Sequence, residues 1–239
     1  MAFSLKMNIS NRLMVVFLTM FCLGNSTLMY ADDNGLNPED PDWVLQKDQD
    51  GIKVYFKRVA GSSVKAFMGK AIISASMSSI LKVMQEAETC VDWVEGCSEA
   101  ITLEGGEFRE FYQYAVNNLP WPASDRDYVI KVQANDDPQT GVVEIYLSAV
   151  EGLVPRTRNI RLKKMDIRYI LSPIDEHSTD VTWVQHTEPE GFIPGWLVNM
   201  LLLDIPYHSL TRLEQVANRP EYRSARFVYN EQHQIIGFE

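Results

Sequence analysis

From Ile52 onward the chain switches between two periods. Ile52 to Val59 (IKVYFKRV) places apolar residues at alternate positions, the pattern of a half-buried strand. Val64 to Ile73 predicts a second strand. Met77 to Glu88 changes to helical spacing, with Met77, Ile80, Leu81, Met84 and Ala87 on one face and Ser76 placed to cap it. Ala100 to Leu103, Phe108 to Val116, Tyr128 to Ala134 and Val142 to Val150 predict further strands. Their separators are Gly105-Gly106, Pro120-Trp121-Pro122 and Asp136 to Gly141, and turn formers at such short spacing favour an antiparallel meander. Residues 159–171 and 179–187 predict longer strands. The helical period then returns. Pro194 to Val216 predicts one long helix, opened by a proline whose missing donor costs nothing there and carrying Pro206 inside, where it should kink the helix. Ahead of all these, Asp40 to Gln46 is predicted as a short helix anchored by Trp43 and Leu45. The segment from Tyr222 takes no assignment.

This order of elements implies an α+β fold in which a curved antiparallel sheet meets a long C-terminal helix. Two such surfaces close on each other only where large side chains fill the gap. The interior is therefore either a filled core or an apolar cavity of the kind that takes small hydrophobic ligands.

The amino terminus follows a different logic. Residues 1–31 contain Lys6 and Arg12 but no acid, and Leu13 to Leu23 is apolar except for Thr19. A polar stretch and Ala31 precede Asp32-Asp33. Basic region, apolar core and small residue, in that order, predict a signal peptide over 1–31. The apolar run is shorter than the ~20 residues a spanning helix needs. The alternative is an uncleaved anchor. Export to a periplasm, or secretion, is the expected outcome. Residues 32–220 then form one domain and 221–239 a tail.

Charge narrows the partners. The chain carries 22 Lys and Arg against 32 Asp and Glu, a net charge of −10, and loss of Lys6 and Arg12 makes it more negative. An acidic chain without basic clusters is not built for nucleic acid. Nor does it favour stable electrostatic residence on anionic lipid, although a transient apolar contact with a membrane stays open. Of three cysteines, Cys22 leaves with the leader, and Cys90 and Cys97 remain. In an exported chain such a pair suggests a small disulfide across a turn, the alternative being two buried thiols. Their spacing, with no second pair or nearby His, does not make a zinc site.

Two blocks carry the most specific signal. Asn117 to Val132 (NNLPWPASDRDYVIKV) contains Pro122, Arg126 and Asp127 in a Pro-x-x-x-Arg-Asp pattern before a strand. Thr187 to Pro206 contains Pro189, Gly191, Pro194, Trp196, Leu197 and Asn199 at the start of the long helix. Trp93 follows the internal helix. From about Trp43 to Val216 the chain resembles the StAR-related lipid-transfer (START) domain family. The resemblance implies a helix-grip fold, a curved antiparallel β-sheet wrapped around a long C-terminal α-helix, with a lipid or other hydrophobic small molecule held between them. It implies a monomer without cofactor, metal or catalytic residues. In that reading Trp93, Arg126, Asp127, Pro194, Trp196 and Asn199 maintain the fold. Arg126 and Asp127 hold a corner by hydrogen bonds and an ion pair, and Asn199 satisfies a buried partner.

Alternation and the resemblance together nominate lipid-lining positions. They are Phe111, Gln113 and Ala115 on one strand, Tyr128, Ile130 and Val132 on the next, His186 on the last strand, and Met200 and Leu203 on the helix. The sterol-binding branch of the family places an acid and a base where this chain has Gln113 and Val132, so the cavity is expected to be neutral. Catalytic motifs do not emerge. His177, His186, His208 and His233 form no His-Glu-x-x-His, and no Gly-x-Ser-x-Gly turn or Gly-rich phosphate loop occurs. The wider superfamily includes polyketide aromatases and cyclases. An enzyme using the same cavity, with His186 at work, is therefore one alternative, and a ligand-sensing interaction module is another.

Overall fold

The computed structural model describes residues 36–239. The leader expected over residues 1–31 lies outside them. The first elements are β1 (Val44–Gln49), β2 (Ile52–Arg58) and β3 (Lys65–Ile73), then α1 (Met77–Gln85) and α2 (Cys90–Trp93). The strands β4 (Cys97–Thr102), β5 (Glu110–Asn117), β6 (Arg126–Asp136), β7 (Val143–Ala149), β8 (Ile160–Arg161), β9 (Met165–Pro173) and β10 (Thr179–Thr187) follow. The chain continues with α3 (Gly195–Ala217), α4 (Pro220–Arg223), β11 (Phe227–Tyr229) and β12 (Ile235–Phe238). Among the described residues the main sheet has the order β1-β2-β3-β10-β9-β7-β6-β5-β4, with β8 parallel to β6 and every other pair antiparallel. The meander from β4 onward thus brings β10 back beside β3.

The segment predicted as a helix at Asp40 to Gln46 instead leads into β1, and Leu45 is half exposed. The reason is local. Asp50 and Gly51 both take positive φ (52° and 78°), which forms the two-residue hairpin turn whose twist matches paired strands. Pairing with β2 then overrides any helical tendency. Residues 159–171 also divide. Ile160 and Leu162 donate to the carbonyls of Asp125 and Asp127 (3.1 and 2.9 Å), so this stretch first lies along β6 before β9 starts.

α1 is capped as expected, by the Ser76 hydroxyl accepting from the Ser79 amide at 3.2 Å. Pro194 opens α3, its carbonyl accepting from Leu197 and Val198 (2.9 and 3.1 Å). Buried Leu197, Leu210, Leu213 and Val216 hold the helix to the sheet. Pro206 lies buried within α3 and presses on Gly69 of β3. A Cβ added at Gly69 would stand 3.0 Å from the Pro206 Cβ and 3.1 Å from a Leu210 methyl. The close approach of helix to sheet therefore depends on a bare backbone at this point. Beside it is an aromatic cluster. Trp183, paired with Gly69 across β10 and β3, stacks on Tyr169 and meets Phe67 edge-on, both at 5.1 Å, while Trp93 meets Trp183 and Tyr169 at 6.4 Å. The buried Trp183 Nε1–H finds no acceptor among the described residues.

Cys90 and Cys97 form a disulfide, with Cα atoms 5.9 Å apart, joining the start of α2 to the start of β4. Closing so short a loop restricts the unfolded chain and is worth about 2.5 kcal/mol in the chain-entropy account. Reduction, or Cys90→Ser with Cys97→Ser, is expected to lower the urea midpoint accordingly. An unchanged midpoint under reductant would reject this role.

Candidate functional site

β5 and β6 present one row of side chains to the concave side of the sheet. The register pairs Phe111 with Val132, Gln113 with Ile130 and Ala115 with Tyr128. All six are buried, and the apolar five belong to the same core as Trp183, Tyr169 and Leu210. Their neighbours Tyr114, Val116 and Val129 face the other way and pack with Leu103, Val150 and Val154. The alternation that nominated the six thus places them on one face. The reading that a half-buried strand has a single inner set needs no long-range knowledge, because side chains repeat every second residue.

Two small apolar cavities lie at opposite ends of this row. The proximal one, about 100 Å³, sits beneath α3, between Val198, Leu201, Leu202 and Ile205 of the helix and Phe67, Asn117, Leu162 and Met165 of the sheet side. The distal one, about 70 Å³, is lined by Phe111, Gln113 and Val132 together with Leu81 and Met84 of α1 and Ile235 and Phe238 of β12. Both are below the ~300 Å³ of an ordinary ligand pocket. Between them the interior is filled by Tyr128, Ile130 and the aromatic cluster around Trp183. The Tyr128 hydroxyl donates to Asn117 Oδ1 at 3.2 Å, and burial pushes its pKa up to about 12, so it stays protonated. Gln113 Nε2 donates to the Gln85 carbonyl at 3.5 Å. No charged pair stands at Gln113 and Val132, which leaves these two positions neutral.

The remaining nominated residues are dispersed. His186 lies on the outer face of β10, because Val181, Trp183 and Gln185 take the inner positions. Its Nε2 is 3.2 Å from Ser62 Oγ and 3.8 Å from Glu188. It borders a surface groove with Lys163 and Lys164 and lines neither cavity. Its assignment to the lining is therefore corrected by strand parity. Met200 is more than one-third exposed, and Leu203 is half-buried against the main core without lining either cavity. The lining role on α3 falls instead to Val198, Leu201, Leu202 and Ile205. All four are apolar in the sequence, but the face they occupy depends on how the helix is rotated against the sheet. Asn199 is exposed, so it does not satisfy a buried partner, and Trp196 is 60% exposed. Trp93 is a core anchor.

Arg126 and Asp127 do more than hold one corner. Arg126, 2% exposed, donates to the carbonyls of Pro189 (3.2 Å), Glu190 (3.0 Å) and Phe192 (3.5 Å), and to that of Ser124. It therefore ties the corner before β6 to the loop that starts α3. The two sequence blocks are in contact through this side chain. Burial lowers its pKa, with the Asp125 charge opposing, and a guanidinium remains cationic at neutral pH. Asp127, fully buried, accepts from Arg161 Nε and Nη2 (2.8 and 3.1 Å), Thr157 Oγ1 (2.7 Å) and Tyr114 Oη (3.1 Å). Arg161 in turn donates to the carbonyls of Val154 and Pro155. Burial would raise the Asp127 pKa, but the Arg161 and Thr157 hydrogen bonds and the Arg161 charge outweigh it, and the net shift is downward.

Three loops are gathered in this way at the start of β6. They carry exposed apolar side chains, Trp121 (89%), Leu153 (53%) and Phe192 (77%), with Arg156 and Arg158 also exposed. Pro189 and Leu119 of these same loops border the proximal cavity.

Comparison with known proteins agrees with this geometry. A START domain family model matches residues 31–205. An uncharacterized protein of Pseudomonas aeruginosa is 34% identical over 179 residues, spanning 74% of this chain and 88% of that protein. The crystal structure of a STAR-related lipid transfer protein fragment from Xanthomonas axonopodis is 30% identical. It covers 74% of this chain and 99% of that one, with a TM-score of 0.69. Human StAR-related lipid transfer protein 5 is 15% identical, covers 76% of this chain and 89% of that one, and has a TM-score of 0.65; at that identity it speaks for the fold.

Proposed function

The chain belongs to the START domain family, and on that premise we propose that it binds a hydrophobic lipid between the concave sheet and α3 and carries it between membranes. The observation that supports this most directly is the proximal cavity. It is mainly apolar, lies under α3, and is bordered by Leu119 and Pro189 of the loops that expose Trp121 and Phe192, with Arg126 at its edge. Trp121, Leu153 and Phe192 are the surface by which the protein meets a bilayer for a moment, with Arg156 and Arg158 beside them to face headgroups. The cavity is too small for a whole lipid, so loading requires the interior to expand. α3 around Pro206 and the loop from Gly152 to Arg158 are the parts that move. Gly152 adopts φ +90°, a conformation that suits a hinge in an exposed loop. Binding is driven by burial of the ligand's methylenes, each worth ~0.8 kcal/mol before ordering costs. We also infer that the mature chain works outside the cytoplasm, a reading that the Cys90–Cys97 disulfide supports.

Native mass spectrometry of the protein from its own host, with extraction and identification of the bound molecule, tests the reading. A retained lipid is expected. Leu202→Trp, which fills the proximal cavity from the helix side, should reduce uptake of that lipid about tenfold or more, a loss of ~1.4 kcal/mol. In a vesicle-to-vesicle transfer assay, Trp121→Ser with Phe192→Ser should slow transfer and leave equilibrium binding intact. A protein that retains nothing and takes up no lipid from a broad panel would show that the interior is a filled core.

A further inference from the structure

The segment that the sequence left unassigned forms a wall of the distal cavity. α4, β11 and β12 follow α3, beyond the end of the family match at residue 205. β11 and β12 pair antiparallel, and the pairing continues through Arg226 and Glu239, whose backbones exchange hydrogen bonds at 3.1 and 3.0 Å. The hairpin's inner side lies on the sheet. Phe238 meets Phe108 at 5.6 Å and Phe227 at 5.7 Å, and Ile235 is buried in the main core.

The hairpin is fastened at several points. Arg109 pairs with Asp136 and donates through Nε and Nη2 to the Ile235 carbonyl (3.1 and 3.0 Å). Asp136 Oδ2 accepts the Ile235 amide at 3.2 Å. On the α1 side, Ser78 Oγ donates to the Ala225 carbonyl at 2.7 Å, and Tyr222 Oη to Glu86 at 2.8 Å. Arg109 and Asp136 border the distal cavity, but their hydrogen bonds are directed to each other and to the hairpin backbone. Gln113 is directed to Gln85. The cavity therefore presents hydrocarbon to an occupant, from Leu81, Met84, Phe111, Val132, Ile235 and Phe238. At about 70 Å³ it fits the end of a flexible methylene chain as it stands, whereas a fused ring system would require much more expansion.

We propose that the C-terminal hairpin is a fixed end wall for an acyl chain, and that Phe238 and Ile235 determine the longest chain the protein holds. The inference rests on the lipid reading above and narrows its ligand to one that carries a linear hydrocarbon chain. The chain end lies against Phe238, and the inner row through Phe111, Gln113 and Ala115 leads from there towards Asn117 and the proximal cavity, a path that opens when Tyr128 and Ile130 give way on loading. A longer chain meets the Phe238 ring and must either bend or leave methylenes in water.

The test is displacement of a fluorescent fatty acid from the full chain by saturated fatty acids from decanoate to docosanoate. The wild type should show a best-bound length. Phe238→Ala should move that optimum to longer acids, with about fourfold in affinity for each added methylene that fits. Ala134→Phe, which fills the same cavity from β6, should move it to shorter ones. Thermal melts identify which variants are folded, and either folded variant suffices. An optimum that stays at the wild-type length in a folded variant overturns the end wall and leaves the lipid reading standing. A wild type that takes sterols but none of the acids does the same. A wild type that binds no lipid of either kind overturns both.

Discussion

Replacing Arg126 with methionine is expected to cost about 4 kcal/mol of stability and to loosen the start of α3. The estimate follows from the acceptors left behind. A hydrogen bond to a charged group is worth about 1.5–3 kcal/mol, and Arg126 serves the carbonyls of Ser124, Pro189, Glu190 and Phe192. Methionine fills much of the same volume but offers no donor. The carbonyls nearest the surface recover water, which keeps the total below the sum of the bonds. Urea denaturation measures the loss. Hydrogen exchange at the amides of Glu188, Leu197 and Val198 should rise more than exchange in β9 and β10, because the guanidinium holds that loop and not the sheet. A variant with wild-type stability and unaltered exchange there would show that the two sequence blocks are held together by something else.

Removing Asp127 should cost about 3–5 kcal/mol, the usual result of stranding one member of a buried ion pair. The stranded group is Arg161, whose side chain is 6% exposed. Asp127→Ala alone is predicted to be worse than Asp127→Leu combined with Arg161→Met, since the double change removes the buried cation as well as its partner. If the double variant is no better than the single, the ion pair is not what Asp127 contributes. The same carboxylate gives a pH dependence of defined sign. Its pKa in the folded protein lies below the ordinary 3.8, so its contribution is complete above that pH. It is lost as pH falls through the lowered folded value. Asp127→Asn should therefore flatten the acid limb of the stability profile and leave the shape of the neutral region unchanged.

Ile52 to Arg58, Lys65 to Ile73 and the strands of the meander were legible because burial on one face imposes a period of two, and Met77 to Gln85 because it imposes the helical period. Phe111, Gln113, Ala115, Tyr128, Ile130 and Val132 could be assigned to one face for the same local reason. The sequence blocks around Arg126 and Pro194 gave the family. Other features were hidden for identifiable reasons. The helix expected over Asp40 to Gln46 gives way to β1 because the Asp50-Gly51 turn pairs that segment with β2. His186 changed faces because its strand's phase is fixed by Trp183 opposite Gly69, a contact over more than a hundred residues. Met200 gave way to Val198, Leu201, Leu202 and Ile205 because rotation of an apolar helix is set by its partners, here Pro206 on Gly69.

The sequence by itself determined strands β2 to β7 and β10, helices α1 and α3, the inward row on β5 and β6, the neutral pair at Gln113 and Val132, and the family, since each of these depends on periodicity or on residues close together in the chain. Only the tertiary structure decided that Arg126 binds the second block, that the interior keeps two small cavities, and that the tail closes one of them. Those outcomes depend on groups far apart in the chain meeting at fixed distances. Arg109 with Ile235 and Arg126 with Phe192 are such meetings, and no local pattern encodes them.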